Sequence, residues 1–258
     1  MDIDDAQKNK NIVVRSAALT VGYGNTAIVS GINLTIRTGS VVTLIGRNGS
    51  GKSTMLRCFS GQRPPLSGQV FLGGSELFSL NVKERSRRIA ILMTERFRSG
   101  FLTAREVVEF GRYPYTDLIG RLSERDREAV EDAMEELQIT PLADRLFSQL
   151  SDGQRQLVML ARAICQEPEL LIMDEPTTFL DINYKLELLK IVRRLSERGI
   201  AVLMSLHELE LAREISDQAV CIKNGQVVRV GDAKKTLTRE FIAELFDIKD
   251  MEMLGKLL

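Results

Sequence analysis

One octapeptide limits the possible folds of this chain more than any other feature. Residues 46–53 read Gly-Arg-Asn-Gly-Ser-Gly-Lys-Ser, which matches the phosphate-loop pattern G-x-x-x-x-G-K-[ST]. The segment before it, Val41 to Ile45, is short, β-branched and nearly all apolar, which is typical of a strand buried in a parallel sheet. A helix is predicted from Ser53 to Phe59. The order strand, loop, helix is the one that nucleotide-binding α/β folds require.

The loop also predicts which groups would hold a nucleotide. Its glycines allow successive backbone N–H groups to face one anion, and the positive end of the next helix adds to the attraction. Lys52 would reach the β- and γ-phosphates, and the Ser53 hydroxyl would bind Mg²⁺. The sequence has no guanine-specific N-K-x-D motif, which favours ATP. The predicted nucleotide-binding residues of this segment are Gly46, Arg47, Asn48, Gly49, Ser50, Gly51, Lys52, Ser53 and Thr54.

A second predicted buried strand, Leu170 to Met173, ends in two carboxylates. Such a strand delivers its acids to the carboxyl edge of the sheet, where folds of this kind bind ligands. Asp174 suits the Mg²⁺ shell, and Glu175 could polarise the attacking water. The alternative is that the two acids cap a helix that begins after Pro176.

His207 is the single histidine of the sequence. It follows the predicted strand 200–206, so it would lie at the same sheet edge. A histidine there can form a hydrogen bond with the γ-phosphate or the attacking water. The alternative is an ordinary histidine in a surface loop.

Alternating strands and helices predict the rest of the architecture. Segments 12–20 and 28–36 alternate apolar and polar residues and predict N-terminal strands. Strands at 89–92, 170–173 and 200–206, separated by helical segments, are typical of a doubly wound α/β core. We therefore expect a parallel sheet with helices on both faces.

Residues 95–150 differ in character from the rest of the chain. They are charged and helix-rich, so we interpret them as a helical subdomain inserted into the sheet domain. Within them, Ser123 and Asp126 have capping-box spacing and predict a helix to about Leu137. Near the C-terminus, Asn224-Gly225 predicts a type I′ hairpin.

Composition excludes several classes of protein. The 35 basic and 35 acidic residues balance, which argues against binding of nucleic acid through bulk positive charge. The longest apolar runs are far shorter than the roughly 20 residues of a membrane span, and the acidic N-terminus does not resemble a signal peptide. The cysteines are three in number and widely spaced, which fits reduced thiols in the cytosol.

Residues 150–156, Leu-Ser-Asp-Gly-Gln-Arg-Gln, identify a family. They closely match the L-S-G-G-Q signature of ATP-binding cassette (ABC) proteins. The order of the other parts is also similar to that family, with residues 178–181 as the D-loop and His207 as the switch histidine. Tyr23 lies where the family places an aromatic ring that stacks on adenine, although a turn tyrosine is the alternative. The resemblance covers residues 12–246 and leaves 247–258 as a C-terminal tail.

The resemblance implies a fold and an assembly. The fold is a P-loop NTPase core with an N-terminal antiparallel β-subdomain and the inserted helical subdomain. Two copies would bind two ATP molecules head to tail, as a homodimer. Lys52 and Glu175 of one copy would face the signature of the other, and Asp181 would signal between the sites. The signature residues implied to contact nucleotide are Ser151, Gly153 and Gln154.

Two departures from the family pattern concern the hydrolysis site. The family's Q-loop glutamine senses Mg²⁺ and the attacking water, but here residues 93–96 read Met-Thr-Glu-Arg. An ungapped match places Thr94 in that role, and a one-residue shift places Glu95 there. We favour Glu95, because a carboxylate could still reach Mg²⁺ or water. The second departure is Asp152 as third signature residue, whose charge we expect to point away from the phosphate.

Residues 101–115 are similar to the ATPases of iron–siderophore, haem and cobalamin importers. In that branch a multi-span permease docks on the helical subdomain. An extracytoplasmic solute-binding protein delivers the solute to the permease. The aromatic and partly basic segment 111–115 is a reasonable docking surface, with subdomain packing as the alternative. The resemblance implies a peripheral protein at the cytoplasmic face of the inner membrane.

Two other functions remain open from the sequence. A soluble cassette ATPase of DNA repair would carry a long coiled coil between phosphate loop and signature, and no sustained heptads occur there. A translation-type member generally has two cassettes in one chain. A poorly hydrolysing, nucleotide-gated regulator is suggested by Thr94, Glu95 and Asp152.

Overall fold

The structure, a computed structural model, describes residues 11–93, 100–117, 119–248 and 250. Its strands are β1 (Ile12–Tyr23), β2 (Thr26–Ile32), β3 (Thr35–Arg37), β4 (Val41–Ile45), β5 (Ser67–Leu72), β6 (Ser75–Glu76), β7 (Ile89–Leu92), β8 (Leu170–Asp174), β9 (Ala201–Ser205), β10 (Gln218–Lys223) and β11 (Gln226–Asp232). Its α-helices are α1 (Lys52–Phe59), α2 (Val82–Arg88), α3 (Ala104–Glu109), α4 (Glu124–Glu136), α5 (Asp152–Ile164), α6 (Ile182–Glu197), α7 (Leu209–Ile215), α8 (Ala233–Thr236) and α9 (Arg239–Phe246).

The strands form a mixed sheet. Its order is β6-β5-β1-β2-β11-β10-β4-β9-β8-β7, and β3 pairs with β1 outside this path. The run β10-β4-β9-β8-β7 is parallel, whereas β1 pairs antiparallel with β2, β3 and β5. The predicted parallel core and N-terminal antiparallel part are therefore both present.

The central strands are buried on both faces. Every residue of β4, β8 and β9 is buried. Side chains along a strand alternate between the faces, so β4 sends Val41 and Ile45 into one core and Val42 and Leu44 into the other. The first core also contains residues of α3 to α6, and the second contains α1 and the antiparallel strands. Helices and strands thus cover both faces of the parallel sheet and leave its carboxyl edge for the site.

The N-terminal strands differ from the sequence prediction in one place. Segment 28–36 was predicted as one strand, but β2 ends at Ile32 and β3 begins at Thr35. Gly31 has a φ of 68°, and the Asn33 side-chain carbonyl accepts a hydrogen bond from the Ala18 N–H at 2.9 Å. This long-range bond takes the chain from one pairing with β1 to another.

Two predicted local motifs are confirmed. Ser123 and Asp126 form a capping box at the start of α4. Asn224 and Gly225 both have positive φ between β10 and β11, as a type I′ turn requires. In the region 100–150, the described residues form α3, α4 and short 3₁₀ segments. That this region is a separate inserted subdomain stays a prediction.

Arg112 does not contribute the basic surface that its sequence context suggested. Its side chain is buried, and its guanidinium donates to Asp126 and to Glu167, each at 2.8 Å. The guanidinium also stacks on the Tyr115 ring, 3.9 Å from its centre. The expectation of a basic docking group is wrong at this residue, because Arg112 has its partners inside the fold. Tyr113 of the same segment is 70% exposed.

The chain is tied to the phosphate loop again where α9 ends. Asp247 adopts a left-handed conformation there, with φ of 56°. Its carboxylate is 3.1 Å from the Arg47 guanidinium and 2.7 Å from Lys223 Nζ. The first residue of the predicted tail is therefore part of the folded domain. No helix in the described portion of the chain has the length and apolarity needed to cross a membrane.

Candidate active site

Three neighbouring strands bring the predicted site residues to one edge of the sheet. Strands β4, β9 and β8 are adjacent and parallel. The phosphate loop follows β4, Asp174 ends β8 and Glu175 comes directly after it, and His207 follows β9. Parallel strands present their carboxyl ends together, so residues far apart in the sequence meet there.

Backbone conformation explains the glycines of the phosphate loop. Gly49 and Gly51 have φ of 77° and 103°, in the region that side chains disfavour. A Cβ atom at Gly51 would lie 2.3 Å from the Val29 side chain. Gly51 also precedes α1, whose first turn carries no acidic residue. The N–H groups at this helix end are therefore available to an anion.

Lys52 is buried within the phosphate loop. Its Nζ donates to the Gly46 carbonyl at 2.8 Å and to the Arg47 carbonyl at 3.3 Å. Burial lowers the pKa of Lys52, and the nearby carboxylates of Glu175 and Asp174 oppose that shift. The ammonium group thus bonds the loop carbonyls and lies near enough to Glu175 and Asp174 to be affected by their charge.

A cleft of about 350 Å³ joins these features. Eight of its nine lining residues were predicted from the sequence, and they include both Tyr23 and Glu175. Ile28 was missed, because a β2 side chain facing the loop carries no motif. The lining residues are Tyr23, Ile28, Asn48, Gly49, Gly51, Lys52, Ser53, Thr54 and Glu175.

Tyr23 lines the cleft and is held there by a neighbouring arginine. The Arg63 guanidinium stacks on its ring, 4.3 Å from the centre. A hydrogen bond with Thr54 lowers the pKa of Tyr23, and it outweighs the opposite effect of burial. The ring is 41% exposed, so it has surface with which to stack on a planar group.

The two acids at the end of β8 do not cap a helix. Residues 176–180 form turns, and α6 begins at Ile182 with Asp181 as its own N-cap. Glu175 has a φ of 48°, and its Oε1 lies 2.5 Å from His207 Nε2. The lone histidine and the predicted base are therefore in direct contact.

Sequence reasoning missed two polar residues next to this pair. Ser205, which is fully buried, donates to Asp174 Oδ1 at 2.6 Å and accepts from the Glu175 N–H at 2.9 Å. Glu208 accepts from Thr177 Oγ1 at 2.8 Å and pairs with Lys185 at 2.7 Å. Burial would raise the pKa of Glu208, but its hydrogen bonds from Lys185 and Thr177 hold it lower. A polar residue inside or directly after an apolar strand was the available signal.

The signature residues form the start of α5 and do not line the cleft. Ser151 and Gln154 make a capping box, with Gln154 N donating to Ser151 Oγ at 3.2 Å. The Asp152 carboxylate lies 3.1 Å from Arg155, which balances its charge. A Cβ at Gly153 would lie 2.5 Å from the Tyr184 ring, so this position packs too tightly for a side chain.

Comparison with known proteins identifies the family. Residues 29–178, more than half of the chain, match the ABC transporter family. This chain belongs to the ABC transporter family. It is accordingly a nucleotide-binding ATPase whose hydrolysis is coupled to transport, as the signature and phosphate loop had predicted.

Three similar ABC proteins cover most of the chain. An uncharacterised ATP-binding protein of Methanocaldococcus jannaschii is 41% identical over 92% of this chain and 82% of its own length. The iron(3+)-hydroxamate import ATP-binding protein FhuC of Bacillus subtilis is 39% identical over 89% of this chain and 86% of its own length. The ferric enterobactin transport ATP-binding protein FepC of Escherichia coli is 36% identical over 92% and 88%.

Solved ABC structures share the fold. A metal-chelate type transporter in an inward-facing conformation, assigned to that type provisionally, has a TM-score of 0.81 at 25% identity over 92% of this chain and 90% of its own. A dimeric cassette with ADP and phosphate bound has a TM-score of 0.75 at 26% identity over 85% and 98%. The predicted fold class is confirmed.

The residues present fit nucleotide and Mg²⁺. Ser50 Oγ is buried and has no hydrogen-bond partner among the described residues, although buried polar atoms are nearly always bonded. A phosphate oxygen would satisfy it. Ser53 lines the cleft, and the buried carboxylate of Asp174 lies at the same edge. A hydroxyl and a carboxylate are the oxygen ligands that Mg²⁺ takes beside a nucleotide's phosphates.

Two predicted residues lie outside the described part of the chain. Thr94 and Glu95 belong to residues 94–99, which follow β7. The choice of Glu95 for the Q-loop role therefore stays a prediction.

Proposed function

We propose that this ABC protein hydrolyses ATP to energise a membrane importer for iron–siderophore complexes or a related chelate such as haem or cobalamin. The contact of Glu175 with His207 beside the phosphate loop carries the catalytic part of the proposal. The import ATP-binding proteins of B. subtilis and E. coli support the cargo class, because each aligns with about nine-tenths of this chain.

The geometry supports a division of roles within one chain. The phosphate loop and the start of α1 bind the triphosphate. When nucleotide binds, Lys52 Nζ donates to phosphate oxygens in place of the loop carbonyls. Glu175 takes a proton from the attacking water at its carboxylate, and His207 orients that carboxylate through Oε1. Ser53 and Asp174 would hold Mg²⁺, which supplies charge neutralisation at the phosphates. Tyr23 stacks on the adenine.

The site is completed by a second copy in this proposal. Ser151, Gly153 and Gln154 do not line the cleft of their own chain. Their capping box instead fixes the N-terminus of α5, an end that attracts anions. The dimeric cassette with ADP and phosphate supports a dimer, and we propose that the two copies lie head to tail.

Exposed aromatic side chains supply a surface for the permease. Phe101 is 93% exposed, and Phe110 and Tyr113 are also exposed on the same stretch. Large exposed apolar side chains that lie together mark interaction sites. A permease docked there would hold the ATPase at the cytoplasmic face of the inner membrane. An extracytoplasmic solute-binding protein would deliver the solute to that permease. No nucleic-acid partner is proposed.

Affinity capture tests this function. Tagged Glu175→Gln protein is bound to ATP and incubated with detergent-solubilised membranes of its own host, and the bound chains are identified by mass spectrometry. We expect a multi-span permease, and we expect Phe101→Asp with Tyr113→Asp to lose it while still binding ATP. Recovery of ribosomes or nucleic acid, or an ATP-bound protein that captures no permease, would contradict the importer.

A further inference from the structure

Ser205 occupies a position where its neighbours in sequence predict an apolar side chain. It ends β9, whose other residues are Ala, Val, Leu and Met, and it is fully buried. On one side it is the register partner of Leu44 in β4, and on the other of Asp174 in β8. Its hydroxyl is thus fixed by the sheet at the point where the phosphate loop and the acids begin.

The hydroxyl makes two hydrogen bonds, one to each acid residue. It donates its proton to Asp174 Oδ1 at 2.6 Å and accepts from the backbone N–H of Glu175 at 2.9 Å. The first bond orients the Asp174 carboxylate. The second holds the backbone of Glu175, whose φ of 48° is uncommon for a residue with a side chain. Such conformations persist only where the surroundings determine them.

Glu175 is consequently held at both ends by one short stretch of chain. Ser205 bonds its backbone N–H, and His207, two residues further on, contacts its carboxylate at 2.5 Å. We propose that Ser205 is a positioning residue for ATP hydrolysis, which sets the Asp174 carboxylate and the Glu175 backbone in their working geometry. This inference rests on the proposed roles of Asp174 and Glu175.

Three substitutions separate the hydroxyl from the volume of the side chain. Ser205→Val removes the hydroxyl and suits a buried strand, Ser205→Thr retains it, and Ser205→Ala serves if Val disturbs the fold. The matched control is Thr43→Val on β4, since Thr43 is also a buried strand hydroxyl but bonds Ser216, away from the acids. All variants are compared by thermal unfolding before their activity is measured.

We expect Ser205→Val to lower kcat by about 10- to 100-fold, the usual effect of losing a group that orients a metal ligand. ATP affinity in EDTA, measured by calorimetry, should stay within about 3-fold of the wild type, because the loop is untouched. The gain in affinity on adding Mg²⁺ should shrink. Ser205→Thr should restore both kcat and the Mg²⁺ effect, and Thr43→Val should keep both.

Two results would overturn the inference. One is a folded Ser205→Val or Ser205→Ala protein with the wild-type kcat and Mg²⁺ effect. The other is a Ser205→Thr protein as impaired as Ser205→Val, which would assign the effect to volume. A Glu175→Gln protein measured alongside distinguishes failure of this inference from failure of the proposed function. Wild-type turnover of Glu175→Gln would refute the proposed role of Glu175.

Discussion

Glu175 has an uncommon backbone conformation that contacts with neighbouring residues hold in place. Its positive φ turns the carboxylate toward His207, while its N–H is bonded to the adjacent strand. The sequence showed two acids after an apolar strand and could not decide between a catalytic pair and a helix cap. The decision depends on residues 176–180, whose turns keep α6 away from the acids.

Removing the charge of Glu175 should separate binding from hydrolysis. In Glu175→Gln, ATP binding should persist because the phosphate loop is intact, and turnover should fall by about 10²- to 10⁴-fold, the range of a general base. Lys52→Ala is the control, and it should abolish ATP binding. Measurement of ATP affinity and phosphate release decides the point, and near-normal turnover of Glu175→Gln would show that another group is the base.

Tyr23 offers a test of the adenine position. Stacking of a base on an aromatic ring is worth about 1–3 kcal/mol, so Tyr23→Ala should weaken ATP binding by roughly 5- to 150-fold. Tyr23→Phe keeps the ring and loses only the hydroxyl that bonds Thr54, so its affinity should remain near that of the wild type. Equal affinities for all three proteins, measured by calorimetry, would place the adenine elsewhere.

At the level of elements, local motifs were predictable and long-range contacts were not. The capping box of α4 and the hairpin between β10 and β11 depend on adjacent residues, so their sequence patterns sufficed. The break between β2 and β3 depends on Asn33 bonding Ala18 across the sheet. Arg112 looked like surface charge because its partners, the buried Asp126 and the exposed Glu167, lie elsewhere in the chain.

The buried ion pair of Arg112 and Asp126 links helix α4 to the 3₁₀ segment that follows α3. Burial raises the pKa of Asp126, but hydrogen bonds from Ser123 and Arg112 outweigh it, so the pKa lies below its usual value. The pair therefore stabilises the fold above the ordinary carboxyl pKa of about 3.9. That contribution is lost as the pH falls through the lowered pKa.

Arg112→Ala should lower the free energy of unfolding by about 3–5 kcal/mol at pH 7, because it leaves the buried Asp126 carboxylate without its positively charged partner. The exposed pair Arg105–Glu131 is the control, and Arg105→Ala should cost about 1 kcal/mol or less. Urea titrations at several pH values should show the deficit of Arg112→Ala shrinking toward pH 3. A deficit that stays constant with pH would show that packing of the Arg112 side chain, and not its charge, stabilises the fold.

At the level of the whole molecule, the signature lies outside the cleft of its own chain. The cleft is lined by residues that include Tyr23 and Glu175, whereas the signature residues cap α5. The sequence predicted this division through family resemblance, because no spacing along one chain shows which surfaces meet between copies. The same applies to the proposed permease surface, because exposed aromatic residues can indicate a contact but do not specify the partner.

We propose that ATP joins the phosphate loop of one copy to the signature of another. Analytical ultracentrifugation of Glu175→Gln with and without Mg²⁺-ATP is the first measurement to make. We expect the mass of one chain without nucleotide and the mass of two chains with it. Adding Ser151→Arg in the same background should keep the protein folded, ATP-bound and monomeric. A Glu175→Gln protein that stays monomeric at saturating Mg²⁺-ATP, or a dimer that tolerates Ser151→Arg, would contradict the claim.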